Sequence, residues 1–489
     1  MDTGQMAPVM SHWRQGGFRK GPAARKNLFQ NEGASVSGKT VTAEPNREGL
    51  HVKPLNFEVW CEPGLNRLNI YTLLYASFFT IASSVFLSFS QPYVFTEILG
   101  IPIDAQGKLS GALVLYAEIV VLCLISPLGV LSDRIGRRPI YAAGFFFLFL
   151  GYMLYPTAQS AEELILYRMV FAVGIACNTA MIATVQADYP QDPWRGRLIG
   201  VCGLLQGLGV VLVVTQGSKL PNLYSAAGAD AVSAGQYAFW TFAVICLVNA
   251  IIVRLGLRGG IPATKQNRDD VSVINKFKIG IAAGRNPRIA LAYVAAGVSR
   301  GDLTVVSTFF SLWLVQAGIA NGYTAGEALV QGGKFFGVVQ IVAVLWAPCA
   351  GIIIDRYNRV SALCIAMGLA AIGYLSLGAI ADPTQNIMYL AAIILGMGEV
   401  NAVLAAQALI AQEAPKEHRG SIIGVFGFFG ALGILAAASA GGYLFDAWMP
   451  AGPFVLMGCA NAVLMCIALT VRKMAETPDT TPATAPSES

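Results

Sequence analysis

Apolar residues in this chain come in long runs rather than at the period of a strand or a surface helix. Twelve runs can be counted, at about 70–95, 109–132, 140–157, 163–187, 198–216, 237–256, 290–315, 331–353, 360–380, 387–411, 420–445 and 453–471. At 1.5 Å per residue each is long enough, or nearly so, to cross the ~30 Å hydrocarbon layer of a bilayer as a helix. Polar positions are confined to short connections. The sharpest is Gly129-Val-Leu-Ser-Asp133-Arg134-Ile-Gly136-Arg137-Arg138, which places four charges in six positions between two apolar runs. So short an interruption is a loop joining two spans on one membrane face. The pattern predicts an all-α membrane protein with twelve transmembrane helices.

A second copy of that connection follows at an offset of 222 residues. Gly129, Asp133, Arg134 and Arg137 match Gly351, Asp355, Arg356 and Arg359. At an offset of 224, Gly174, Arg195, Gly196, Gly200 and Gly203 match Gly398, Arg419, Gly420, Gly424 and Gly427. Two offsets this close, carried by separate helices, predict two six-helix parallel repeats about an axis along the membrane normal. The expected organisation is a basic tail over 1–69, largely disordered; a first half over 70–256; a linker over 257–289; a second half over 290–471; and a tail over 472–489.

Composition strengthens this reading. The chain of 489 residues is 55% apolar and 12% charged, against about 25% charged in soluble domains. The net charge of +5 matters less than its placement. Beyond the tail, Lys and Arg fall in alternate connections and in the linker, whereas the remaining connections hold only Lys108 and Lys219. Basic residues stay on the cytoplasmic side, so both termini are expected in the cytoplasm, and the protein in the inner or plasma membrane. Positive charge beside membrane spans excludes a nucleic-acid partner. Nothing in the first 69 residues resembles a cleavable signal. The nine cysteines lack metal-ligand spacing and read as packing residues.

The loop after the second run resembles the signature of the major facilitator superfamily of secondary transporters, G-x-L-x-D-R-x-G-R-[RK], through Gly129, Leu131, Asp133, Arg134, Gly136, Arg137 and Arg138. Its weaker partner follows the eighth run, with Asn358 where a glycine is usual. Arg168-Met-Val-Phe-Ala172-Val-Gly174 is similar to the family's fourth-helix motif, with Ala172 in place of its first glycine. The fifth run, from Gly203 through Gln206 and Gly207 to Gly209, has small-residue spacing but lacks the proline of the family's drug-antiporter motif. The resemblance covers 70–471 and implies alternating access. It also implies a latch in which Gly129 and Asp133 meet the start of the eleventh helix, whose N-terminal end attracts a carboxylate. A role for Arg168 in proton coupling is likewise implied.

Ionisable residues at mid-membrane depth are functional candidates by default. Four qualify: Glu118 in the second run, Arg300 and Asp302 in the seventh, and Glu399 in the tenth. Arg300 is expected to pair with Glu118 or Glu399. The polar residues Gln91, Asn178, Gln206, Gln340 and Asn401 are candidates for lining a cavity. No catalytic constellation and no phosphate-cradling loop occurs, so neither an enzyme nor an ATP-driven pump is expected, and no cofactor or metal is implied. The expected function is proton-coupled movement of a small organic solute, with Arg300 favouring an organic anion and Glu118, Asp302 or Glu399 loading and releasing the proton. The expected partners are that solute, protons and the lipid bilayer, and the expected state is monomeric. Efflux of amphiphilic compounds, or a receptor or scaffold that no longer transports, are the alternatives.

Overall fold

A computed structural model describes residues 49–260, 273–415 and 417–476. The basic stretch 1–48, the linker positions 261–272 with Lys265 and Arg268, Lys416 and the end of the chain from 477 lie outside the described residues. Among the described residues twelve helical spans are long and apolar enough to cross a membrane.

The helices are α1 (Arg67–Tyr93), α2 (Gln106–Ile135), α3 (Arg137–Leu154), α4 (Ala161–Asp188), α5 (Arg195–Gly217), the short α6 (Leu220–Ala226), α7 (Ala231–Gly256), α8 (Val273–Ala283), α9 (Pro287–Ala320), α10 (Ala325–Arg356), α11 (Arg359–Gly378), α12 (Ile387–Glu413), α13 (Arg419–Ala447) and α14 (Gly452–Glu476). All but α6 and α8 are spans. Their starts are written in the sequence. Asn66 and Asn69 form a reciprocal cap on α1, Thr324 and Glu327 do the same on α10, and Ser160 and Asp230 accept backbone N–H groups at the starts of α4 and α7. Such caps satisfy donors that the first helical turn leaves without partners.

Packing reproduces the repeat. In the first bundle α1 packs on α5, α2 on α4, and α3 on both α4 and α7; in the second, α9 packs on α13, α10 on α12, and α11 on both α12 and α14. Gly174 and its repeat mate Gly398 occupy matching contacts. A Cβ on Gly174 would lie 2.8 Å from the Gly144 carbonyl, and one on Gly398 would lie 2.6 Å from the Ala370 Cα. The bundles meet through α2 on α13, α5 on α10 and α1 on α9.

Two segments outside the spans are also folded. Part of the N-terminal stretch is folded: Leu50–Val52 (β1) and Val59–Cys61 (β2) form an antiparallel hairpin. It is tied to the α4–α5 connection, where the Gln191 N–H donates to the Trp60 carbonyl (2.9 Å) and the Glu62 N–H to the Tyr189 carbonyl (2.9 Å). Burial against this connection pushes the Cys61 thiol up to about 11 and the Tyr189 hydroxyl, which accepts the Arg258 N–H at 3.0 Å, up to about 12. The linker is also partly ordered. Its helix α8 lies against the start of α13, with the rings of Phe277 and Phe428 5.3 Å apart and the Tyr293 hydroxyl donating to the Gly280 carbonyl (2.7 Å).

Candidate functional site

The two bundles are closed on each other at one membrane face and apart at the other. Gly111 of α2 is buried against α13, where a Cβ would clash with the Ala438 carbonyl. Eighteen residues later, about five turns and so on the same side of the helix, Gly129 has nothing within 4 Å. The partner helix repeats this: Gly442 presses on the Gly107 carbonyl, whereas Gly424, on the same side eighteen residues earlier, faces open space. The second interface follows suit. Gly333 and Gly337 of α10 meet Ser218 and Thr215, while Gly351, five turns further along α10, meets nothing, nor do Gly196, Gly200 and Gly203 of α5. Residues spaced to share a side therefore find a partner only at one end. The bundles enclose a wedge that opens at the face bearing Asp133 and Asp355, called here the basic face.

The closed end is fastened by a carboxylate absent from the sequence-based candidates. Ala105 precedes α2 and has no side-chain oxygen to cap it. Asp446, from the far end of α13, takes that part: Oδ1 accepts the Gly107 N–H (2.8 Å) and Oδ2 the Lys108 N–H (2.7 Å). A carboxylate on the first-turn donors also meets the positive end of the helix. Lys108 lies over the Tyr443 ring at 5.9 Å, and Gln316 of α9 donates to the Ile103 carbonyl (3.2 Å) and to Gln106 Oε1 (3.0 Å). One clamp thus joins the two halves.

Glu118 sits two turns from Gly111 on the same side of α2 and is half-buried; Arg300 of α9 is exposed. The Arg300 stem lies against Gly430 of α13, whose Cβ position is 3.1 Å from Cγ, and its charge acts on Glu118. Among the described residues neither makes an ion pair within 4 Å. The wedge therefore holds one cation and one carboxylate within electrostatic reach but not locked together. Of the two expected partners for Arg300, Glu118 is the one in its field.

Asp302 and Glu399 lie elsewhere. Both are buried, at 0% and 3% exposure, inside the second bundle, and the Glu399 charge acts on Asp302 across α9 and α12. Asn461 Nδ2 of α14 donates to both Asp302 oxygens (2.9 and 3.0 Å), and Tyr374 of α11 lies in the field of both carboxylates. Two residues apart on α9, Arg300 faces the wedge and Asp302 faces the interior.

The remaining candidates divide. Arg168 does not reach a membrane surface: it is 4% exposed, donates to Ser88 Oγ (2.8 Å) and lies 5.4 Å from the Phe171 ring centre. It has no ion pair among the described residues, and its Nε and Nη1 have no partner there. Gln206 and Gln340 are half-buried on the helices that border the wedge. Gln91, Asn178 and Asn401 are buried in this conformation. Gln91 donates to Ser110 (3.2 Å) and accepts from Tyr155 (2.8 Å), and Asn178 packs on Gly144 of α3.

The loop residues of the basic face have separate duties. Gly136 adopts φ +96°, a conformation glycine tolerates best, and so ends α2 and starts α3. Asn358 holds the matching place with φ −53° and caps α11 through the Val360 N–H (3.0 Å), so the departure from glycine there carries no strain. Arg137 pairs with Asp133 and with Asp188 (3.0 Å), and Arg359 with Asp355 (3.2 Å). Arg138 lies against Gly259, while Arg134 and Arg356 are exposed. The close approach expected between Gly129 and the eleventh span is not made in this conformation, because the wedge is open there.

Twelve spans in two matching bundles around a wedge, with ionisable groups at mid-depth, are the architecture of a secondary transporter. The chain belongs to the Major Facilitator Superfamily of secondary transporters, whose model matches residues 73–438 and again 379–489. It is 28% identical to the magnetosome protein MamZ of Paramagnetospirillum magneticum over 82% of this chain, and spans 61% of that protein's length. It is 26% identical to the magnetosome protein MamH of the same organism, covering 83% of this chain and 92% of that one. The fold is similar to that of the nucleoside transporter NupG, with a TM-score of 0.64, 14% identity, and coverage of 84% of this chain and all of that one.

Proposed function

We propose that this protein moves a small organic anion across the membrane by alternating access, with the solute held in the wedge between Arg300 and Glu118. The observation that carries this reading is the position of Arg300: an exposed guanidinium, at mid-depth, without an ion pair among the described residues. A guanidinium presents a fork of donors that fits a carboxylate. Glu118, in the field of that cation, is the proposed proton carrier, because solute and proton then alter each other's binding through one electrostatic contact. Asp302 and Glu399, buried away from the wedge, are no longer needed for that step. In this reading the basic face is cytoplasmic, both termini lie inside, and the protein works as a monomer in the inner or plasma membrane.

Uptake into proteoliposomes tests this. A panel of mono- and dicarboxylates is offered with and without an imposed pH gradient. Accumulation of at least one carboxylate, driven by the gradient, is expected; neutral sugars moving while no carboxylate does would reverse the assignment. Arg300→Gln is expected to weaken apparent solute affinity by about 10- to 100-fold, the scale of one charge-assisted hydrogen bond. Glu118→Gln is expected to retain solute exchange while losing gradient-driven accumulation.

The likeness to MamH and MamZ favours a second reading for location, in which the same transporter works in a magnetosome membrane. A fluorescent fusion separates the two, by uniform labelling of the cell envelope or by labelling confined to magnetosomes.

A further inference from the structure

We infer that Asp302, Glu399, Tyr374 and Asn461 form a binding site for one sodium ion inside the second bundle. They stand on four helices packed against one another, α9, α12, α11 and α14, with Asn461 in direct contact with Asp302. The two carboxylates are at 0% and 3% exposure, Asp302 lies in the field of Glu399, and among the described residues no Lys, Arg or His pairs with either. Two like charges left in a protein interior cost several kcal/mol each unless something positive joins them.

The neighbouring atoms say what that partner is. Glu399 Oε2, the Tyr374 hydroxyl and Asn461 Oδ1 are all buried without a hydrogen-bond partner among the described residues. The orientation of Asn461 is fixed by its own contacts. Its Nδ2 donates to the Asp302 carboxylate and to the Met457 carbonyl (2.9 Å), so the unpartnered atom is an oxygen. Every open position is thus an oxygen, the chemistry of a hard cation. A proton satisfies one donor–acceptor pair, whereas a metal ion engages oxygens from several helices at once. Among the described residues no group of three or more acidic, His or Cys side chains gathers here to hold a more highly charged metal. Sodium suits a set of two carboxylates and two neutral oxygens.

The placement gives the ion a role. Asp302 lies two residues from Arg300 on α9, one facing the interior and the other the wedge. Filling the site would fix the rotation of α9 on α12 and α14, and so the reach of Arg300. The ion site does not require the wedge to carry an anion, and its test needs no transported solute.

The test is thermal unfolding of the purified full-length protein in detergent at constant ionic strength, with sodium chloride exchanged for choline chloride. A ligand that binds only the folded state raises its unfolding midpoint. Sodium is expected to produce a saturable rise that choline does not. Glu399→Gln and Asp302→Asn are expected to abolish it, and Tyr374→Phe to raise the half-saturating sodium concentration about tenfold, as for one lost contact to a charge. Equal midpoints for the wild type in both salts would overturn the site. So would an unchanged sodium response in Tyr374→Phe, the variant that decides the matter if the acidic substitutions fail to fold. A rise produced by acidification alone, to which sodium adds nothing at any pH, would assign the pair to protons instead.

Discussion

Asp446 shows how much one side chain can carry here. Its carboxylate supplies the cap that Ala105 lacks and crosses between the halves to do so. Asp446→Asn keeps the size but replaces an acceptor with a donor facing two N–H groups. The expected shift is about 1 to 3 kcal/mol toward opening of that face, read as faster labelling of a cysteine placed at Lys108. A second carboxylate gives a pH dependence outside the membrane. Asp382 accepts from the Thr384 hydroxyl (2.6 Å) and N–H (2.9 Å), and these hold its pKa below the usual aspartate value. A lowered folded-state pKa stabilises the loop above the unfolded value of 3.8, and that stability is lost as pH falls through the folded one. Amide exchange at Thr384 is expected to be protected from neutral pH down to the usual aspartate range and to speed up only below it. The sequence showed Glu118, Arg300, Asp302 and Glu399 as charges inside apolar runs, because such charges stand out by number alone. Asp446 did not stand out, since it lies one residue past the edge of its run and reads as loop. Tyr374 and Asn461 are ordinary in membrane helices until their neighbours are known.

At the scale of helices, glycine spacing divides by location. Gly111 and Gly129 share one side of α2, yet only Gly111 has a neighbour in this conformation. Gly111→Ala drives a methyl into the Ala438 carbonyl, so the closed face is expected to lose about 1 to 3 kcal/mol, the usual cost of overpacking. Gly129→Ala meets nothing here and leaves this conformation unchanged, but it obstructs closure of the basic face. Cysteine labelling at the two faces should therefore move in opposite directions in the two variants, and an equal response would separate the glycines from gating. The helices and their repeat were legible because a bilayer demands long apolar runs and a duplicated chain repeats its punctuation. The side on which a buried amide lies was not: Asn178 and Gln206 look alike in sequence, and only packing against Gly144 sends the first inward. The hairpin at 50–61 escaped notice because its three-residue strands are too short for a period, and it is held by the α4–α5 connection rather than by its own pattern.

For the molecule as a whole, the same two pairs of helices, α2 with α13 and α5 with α10, are tight at one end and apart at the other. Bundles that are internally well packed, joined by glycine-lined interfaces and one clamp, are built to tilt as bodies rather than to deform. The direct measurement is of distances at both mouths in the same membrane. Spin labels at Leu131 and Ile423 report the basic face, and labels at Leu223 and Tyr323 report the opposite one. Without solute, the first pair is predicted to be far apart and the second close. During solute exchange a second population should emerge in which the first pair is close and the second far. A single unchanging distance at both mouths while solute is being carried would contradict the account.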